Sequence, residues 1–426
     1  VSVDAGGRSA VERAVADAHR REWAFVLAAT ARVAGDFDVA EECVQDAYLA
    51  ALDAWTRDGV PRKPGAWLTA TAKRKALDVL RREKVFRSKM PLLVEPDEPE
   101  MDAPGEDAVP DDRLRLIFTC CHPALAREAQ VALTLRLVCG VGTGDIAHAF
   151  LVSEPTMAAR VTRAKKKITA ARIPYRVPGA AELPERLGAV LSVIHLLYTT
   201  GHTAPSGTDL VRADLVGRAL HLARMLLALM PDEPEVRGLL ALLLLTDARR
   251  VTRTDAEGRL LVLEDQDRSA WDRAAIEEGR RLVLDAFRTG RVGRYALQAA
   301  IASLHAVAAS YAATDWRQVL ELYNRLLKVW PSPVVALNRT VAVSMVHGPR
   351  AALDEIEILE RDGRLAGYHY LPAVRADLLR RLGRHREAAA AYRAALDLAD
   401  NRAEREFLAA RIAEAVGAVD SGSGRR

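Results

Sequence analysis

Gly144 to Lys167 reads GDIAHAFLVSEPTMAARVTRAKKK, and its spacing predicts a helix, a tight turn and a second, basic helix. Ser153 is placed to cap the second helix. Pro155 is accepted in its first turn because the leading N–H groups of a helix have no intrahelical acceptor. Beyond the cap, Met157, Val161, Ala164 and Ile168 recur at helical spacing and make an apolar face, while Thr156, Arg160, Arg163 and Lys167 make a parallel polar and basic one. One face suits docking and the other suits phosphate. The preceding segment offers Ile146, Ala147 and Phe150 to the same small core, and Leu151-Val152-Ser153 is short enough for the turn of a helix-turn-helix. Taken alone, the stretch also fits an amphipathic surface helix with a solvated charge run.

The rest of the composition agrees with helices. Half of the 426 residues are hydrophobic, aromatics make up 5%, and strand-like alternation is scarce, so an all-α chain is expected, with roughly two to four domains. The net charge of +4 is small but unevenly spread: Lys73 to Lys89 and Arg160 to Arg176 are basic, while Glu95 to Asp112 is acidic. Four cysteines at uneven spacing make no disulfide framework, which points to a reducing cytoplasm. No apolar run follows Arg8, and Leu239 to Leu245 is too short to span a bilayer, so a soluble cytoplasmic chain without a membrane anchor is expected.

Catalytic and metal chemistry find little support. Cys120 and Cys121 project about 100° apart on one helix and no second ligand pair follows, which favours buried thiols over a metal site. There is no G-x-S-x-G or Walker sequence, so no catalytic residue and no cofactor is assigned and the chain is expected not to be an enzyme. Gln266 to Asp272, QDRSAWD, is expected to be an internal hydrogen-bonded or ion-paired knot.

Outward from the opening stretch, the pattern divides the chain into a helical domain at 11–89, an acidic, proline-rich flexible linker at 90–111, a second helical domain at 112–176 and a larger helical extension at 185–416. In the first domain, Val39 to Trp55 places Ala40, Cys43, Val44, Ala47, Ala51 and Ala54 on one face and Glu41, Glu42, Gln45, Asp46 and Asp53 on the other. The helix expected from Ala66 carries Trp67 near its start, then Lys73, Arg74, Lys75, Arg81 and Arg82. Cations with an aromatic suit a nucleic-acid strand, and a solvated basic face with Trp67 in the core suits the sequence equally. In the extension, Ala376 with Ala388, Tyr392 and Ala395 has the spacing of a tetratricopeptide (TPR) helix pair. Val319, Tyr323, Leu326, Pro331 and Ala219, Ala223, Leu226, Pro231 repeat part of it; an irregular bundle is the alternative because Arg249 to Asp272 breaks the period.

Several motifs carry a family resemblance. DVAEECVQDAY (Asp38 to Tyr48), Trp67-Leu68 with ALDVLRR (Ala76 to Arg82), Asp145-Ile146-Ala147, Ser153, Thr156, Arg160 and Arg163-Ala164-Lys165 resemble a sigma-70 family RNA polymerase sigma factor of the extracytoplasmic-function group. DDRLRLIFTCCHP (Asp111 to Pro123), QDRSAWD, Thr314-Asp315-Trp316, PSPVVALNR (Pro331 to Arg339) and RADLLRRLGR (Arg375 to Arg384) resemble the subgroup with a long TPR-like extension. The resemblance implies two small helical domains, the second a helix-turn-helix, which bind core RNA polymerase and promoter DNA and direct transcription initiation under control of the extension. It places Glu41, Glu42, Gln45 and Asp46 on the β′ clamp helices, with the β flap as a further polymerase contact. Trp67, Lys73, Arg74, Asp78, Arg81 and Arg82 fall on the minus-ten element. Ser153, Glu154, Thr156, Met157 and Arg160 fall in the major groove of the minus-thirty-five element, with Arg163, Lys165 and Lys166 near its backbone. Arg74 stands where the family often carries Asn, which leaves a phosphate contact but removes the ground for a base contact there. An unidentified protein or ligand is implied for the extension, and a stand-alone helix-turn-helix regulator with a signal-binding TPR-like domain is the alternative.

Overall fold

The computed structural model describes residues 4–89, 112–150, 152–203 and 211–423; the linker expected at 90–111 lies outside them. All regular elements among these residues are helices, as expected. They form two units, residues 1–194 and 195–426.

The first unit begins with α1 (Asp4–Ala34), α2 (Phe37–Asp58) and α3 (Pro64–Lys89), which pack on one another. Asp36 starts α2 by accepting hydrogen bonds from the backbone N–H groups of Asp38 (2.7 Å) and Val39 (3.1 Å), and Gly59 ends it at φ 81°. The core of this block is small and aliphatic: Val26, Leu27 and Ala28 of α1 meet Ala40, Val44 and Ala47 of α2, and each is fully buried. Full burial of one Leu or Val contributes about 1.5–3 kcal/mol, so this seam anchors the three helices.

After the linker come α4 (Asp112–Cys120), α5 (Arg127–Leu133), α6 (Thr143–Ala149) and α7 (Glu154–Ala170). Ser153 caps α7 as expected, its hydroxyl accepting from the Thr156 N–H at 3.4 Å, and Pro155 lies in the first turn. Met157, Val161, Ala164 and Ile168 are buried, so the predicted apolar face does dock. Cys120 and Cys121 are buried thiols, and burial pushes Cys121 up to about 11.

Between α5 and α6, Thr134–Val138 forms a π-helical turn. Its wider hydrogen-bond spacing leaves carbonyls without their usual partners. One is taken up from the first block: Trp23 Nε1 donates to the Leu137 carbonyl at 2.9 Å. The Tyr175 hydroxyl adds a second tie, donating to the Ala28 carbonyl at 3.0 Å. A third is ionic. The Glu41 carboxylate on α2 faces Arg136 Nε at 2.8 Å and pairs with Lys165 Nζ of α7, which also meets Asp38 at 2.6 Å. The side chains of Glu41 and Lys165 retain only 7% and 10% of their exposure. Glu41 was expected on the solvent face of α2 and is instead buried, because Arg136 and Lys165 cover that edge of the helix.

The second unit takes in the end of α8 (Leu183–His202), then α9 (Ala213–Leu229), α10 (Pro234–Asp247), α11 (Arg273–Arg288), α12 (Arg294–Val307), α13 (Trp316–Val329), α14 (Pro333–His347), α15 (Pro349–Asp362), α16 (Tyr370–Arg381), α17 (His385–Leu398) and α18 (Arg402–Ser423). From α9 to α18 each packs on the next. Gly383 at φ 74° turns α16 into α17, and Ala376, Ala388, Tyr392 and Ala395 form their shared core. The segment from Arg249 to Asp272 interrupts the hairpins with two short 3₁₀ turns and an isolated bridge between Thr254 and Leu260. It is a hydrogen-bonded knot: Arg268 Nη1 donates to the carbonyls of His305 (2.6 Å) and Ala308 (3.0 Å), Trp271 Nε1 donates to Thr252 Oγ1 (2.9 Å), and Asp272 caps α11.

Three predictions follow from this packing. Gly140 has φ 65°, and a Cβ there would lie 2.9 Å from the Trp23 ring, so Gly140→Ala should destabilise the first unit by about 1–3 kcal/mol. Gly188→Ala, inside α8 with open space around it, should stabilise by about 0.5–1 kcal/mol. Thermal melts of both variants, with amide exchange to localise the effect, check the contrast. Glu41→Gln should cost about 3–5 kcal/mol by taking the carboxylate from the half-buried Arg136 and leaving the buried Lys165 with only the exposed Asp38, whereas Asp38→Asn, on the exposed side, should cost under about 1 kcal/mol. Burial disfavours the charge on Lys165, but Glu41 and Asp38 outweigh it and raise its pKa above 10.5. A raised lysine contributes fully below its unfolded value and loses that contribution as pH climbs through the folded one. The stability difference between the native chain and Lys165→Met should therefore hold through neutral pH and shrink above about pH 10.5.

Candidate nucleic-acid interface

The α6–α7 pair presents one clear polar surface. Ser153, Glu154, Thr156, Arg163 and Lys166 are exposed and Arg160 is half-buried. Ser153 and Thr156 share a hydroxyl hydrogen bond of 2.8 Å, and Arg163 Nε donates to the Ala159 carbonyl at 3.2 Å, which steers its guanidinium along the helix. No described residue pairs with Arg160 or Lys166, so both charges stay available to an anion. Glu154 sits in the first turn, where a carboxylate complements the positive helix end.

Two residues expected at the DNA are placed elsewhere. Met157 is fully buried beneath α7, and Lys165 is buried in the Glu41 cluster rather than set beside Lys166 on the open face. Helical geometry accounts for both: Met157 precedes Val161 by four positions, and Lys165 follows Val161 by four and precedes Ile168 by three, so each lies on or beside the docking stripe.

On α3, Arg74, Asp78, Arg81 and Arg82 are exposed and Lys73 is half-buried. Trp67 is half-buried and edge-on to the buried Trp55, with ring centroids 5.7 Å apart, so it joins core packing to a partly open face. Asp78 and Arg81 approach to 3.7 Å. On α2, Glu42, Gln45 and Asp46 are exposed while Glu41 is not. Asp46 meets Lys75 of α3 at 3.1 Å, a solvated pair that contributes little.

Arg136 is the participant that the residue pattern did not single out. A lone cation inside the apolar run Val131 to Val138 was the available signal, because a charge in such a run needs a partner. Among the described residues no cluster of three metal-ligating side chains occurs, and no helix is long and apolar enough to cross a membrane.

Comparison with known proteins gives three regional matches. Residues 13–85 match Sigma-70 region 2, residues 115–168 match Sigma-70 region 4, and residues 186–287 match a family of unknown function, DUF6596. An uncharacterised protein of Rhizobium meliloti (strain 1021) is 44% identical over 387 residues, covering 90% of this chain and 91% of its own length. With region 2 on α1–α3, region 4 on α4–α7 and a helical domain after them, the chain belongs to the sigma-70 family, whose members serve RNA polymerase in promoter recognition.

Proposed function

We propose that the chain is a sigma factor of the extracytoplasmic-function group, acting in the cytoplasm, in which a TPR-like extension regulates promoter recognition. The observation that carries this is the α7 surface: Ser153, Thr156, Arg160, Arg163 and Lys166 stand open on a helix whose opposite face is docked, within a region 4 match. In this role the open residues of α7, with Glu154, meet the minus-thirty-five element. Trp67, Lys73, Arg74, Asp78, Arg81 and Arg82 engage the minus-ten element, and Glu42, Gln45 and Asp46 dock on the β′ clamp helices. Core polymerase, through the clamp helices and the β flap, and promoter DNA are the partners, and none of these roles is catalytic.

Glu41 and Lys165 enter this scheme as a latch. Each neutralises the other across α2 and α7. For Glu41 to face polymerase with its neighbours, α7 must leave α2. The roughly 20 residues between α3 and α4 can reach tens of ångströms when extended, enough for the two regions to take promoter elements about two helical turns apart. Separation of α7 from α2 is therefore the step at which an extension could exert control.

Transcription with purified core polymerase tests the role: initiation from promoters in a genomic pool is expected, and a chain that binds duplex DNA alone without supporting initiation would instead be a stand-alone regulator. Arg160→Ala should lose about 1–3 kcal/mol of discrimination at the minus-thirty-five element while binding to core is unchanged. Lys165→Met should weaken the latch, so that affinity for core polymerase rises while Glu42→Ala with Asp46→Ala lowers it; equal affinity of Lys165→Met and native chain in a fluorescence titration would count against the latch.

A further inference from the structure

The second unit holds a half-open cavity of about 300 Å³, bounded by α10, α12, α13, α14 and the knot between α10 and α11. That is the lower end of the range for small-molecule sites. Apolar and polar groups share its walls: Leu242, Ile301 and Trp271 are among the former, and Thr246, Arg249, Gln298, His305, Tyr323 and Asn338 supply the latter.

The charge inside is one-sided. Of the five arginines in the knot, Arg250 and Arg259 pair with Asp247 and Asp255, whereas Arg249, which lines the cavity, and Arg253 and Arg268 behind it form no ion pair with a described residue. Arg253 donates to the His202 carbonyl and to Thr203 Oγ1, and Arg268 donates to two carbonyls, so both have neutral partners and keep their charge. Arg249 lines the cavity and its guanidinium makes no hydrogen bond with any described residue. Burial lowers its pKa to about 10, with Arg253 and Arg268 adding to the effect. Beside it, burial together with Arg249 and Arg268 pushes His305 down to about 4, so the imidazole is neutral at physiological pH. Its Nδ1 is buried without a partner. Arg249 is half-buried against an apolar wall, and a cation so placed without a carboxylate leaves a gain for an entering anion.

We propose that this cavity is a binding site for a small organic carboxylate, its head group on Arg249 with hydrogen bonds from the Gln298 and Asn338 amides, and its apolar body against Leu242, Ile301 and Trp271. The guanidinium, the Asn338 amide and the Gln298 N–H left over from its bond to the Arg294 carbonyl (3.2 Å) are donors matched to a carboxylate, and the aliphatic part of the wall suits an organic body rather than a fully hydrated inorganic anion. No sequence motif marks the site, because its lining comes from four helices and a non-repeating segment.

The experiment is calorimetry and thermal melting of the full chain, without polymerase or DNA, with acetate, butyrate, hexanoate and phenylacetate as probes. Phenylacetamide serves as the neutral isostere and inorganic phosphate as the anion without an apolar body. At least one of the longer carboxylates should bind and raise the melting temperature, with phenylacetamide and phosphate binding about tenfold or more weakly. Arg249→Met should weaken the bound carboxylate by about ten- to hundredfold, the loss of a charged hydrogen-bond donor, while melting no lower than the native chain in the absence of ligand. Ala302→Leu, which fills the cavity and leaves Arg249 in place, should abolish binding with the fold retained. Failure of every carboxylate to bind, equal binding of acid and amide, or unchanged binding in Ala302→Leu overturns the proposal; a ligand-free Arg249→Met that melts lower than the native chain overturns it too, since Arg249 would then be structural.

Discussion

The Glu41 carboxylate, set between Arg136 and Lys165, is the interaction on which the first unit depends. Region 2 and region 4 each have a small core, and small helical blocks have little apolar surface with which to hold a neighbour. Apolar contact between them would leave their relative register loosely specified. An ionic cluster in the same seam behaves differently, because misplacement strands a buried charge at a cost of several kcal/mol. The π-helical turn contributes twice here, aiming Arg136 at Glu41 and the Leu137 carbonyl at Trp23. With Gly140 at positive φ closing against Trp23, one short segment sets how the two regions meet.

The two regions were legible in the sequence to different depths. Caps and stripes within single helices read correctly: Ser153, Pro155 and the Met157, Val161, Ala164, Ile168 series need only local geometry, and so does the α2 face built on Ala40, Cys43, Val44 and Ala47. The exposures of Glu41 and Lys165 did not, because residue type suggested solvent while position suggested the seam. Glu41 lies three before Val44 and seven before Tyr48, both buried, and Lys165 lies between Ala164 and Ile168. A charged side chain at the border of an apolar stripe stays solvated unless another element covers it, and the covering residues, Arg136 and Lys165, lie 95 and 124 positions along the chain from Glu41. No local pattern carries that information.

The extension divides along the same line. Its hairpins follow from small residues at close crossings, such as Ala376 against Ala388 and Tyr392, and from Gly383 at the turn between α16 and α17. The break in period at Arg249 to Asp272 was visible, and so was the expectation of an internal knot in QDRSAWD, although the bonds that form it run from arginine and tryptophan to carbonyl and hydroxyl oxygens rather than between opposite charges. The cavity was not visible at all. A continuous repeat would press α10, α12 and α14 together around a filled centre, whereas a non-repeating segment wedged beside them holds space open.

Buried charge therefore occurs twice in the molecule under opposite conditions. In the first unit, two carboxylates, Asp38 and Glu41, meet two cations, Arg136 and Lys165, and the cluster is complete within the chain. In the second, Arg249, Arg253 and Arg268 gather with no carboxylate paired to any of them. The same electrostatic rule governs both: low dielectric surroundings amplify an attraction that is satisfied and penalise a charge that is not. A closed cluster of the first kind fixes geometry. An open cluster of the second kind is completed from outside, and a neutral His305 beside Arg249 keeps the cavity from adding a further positive charge that an entering carboxylate would have to offset.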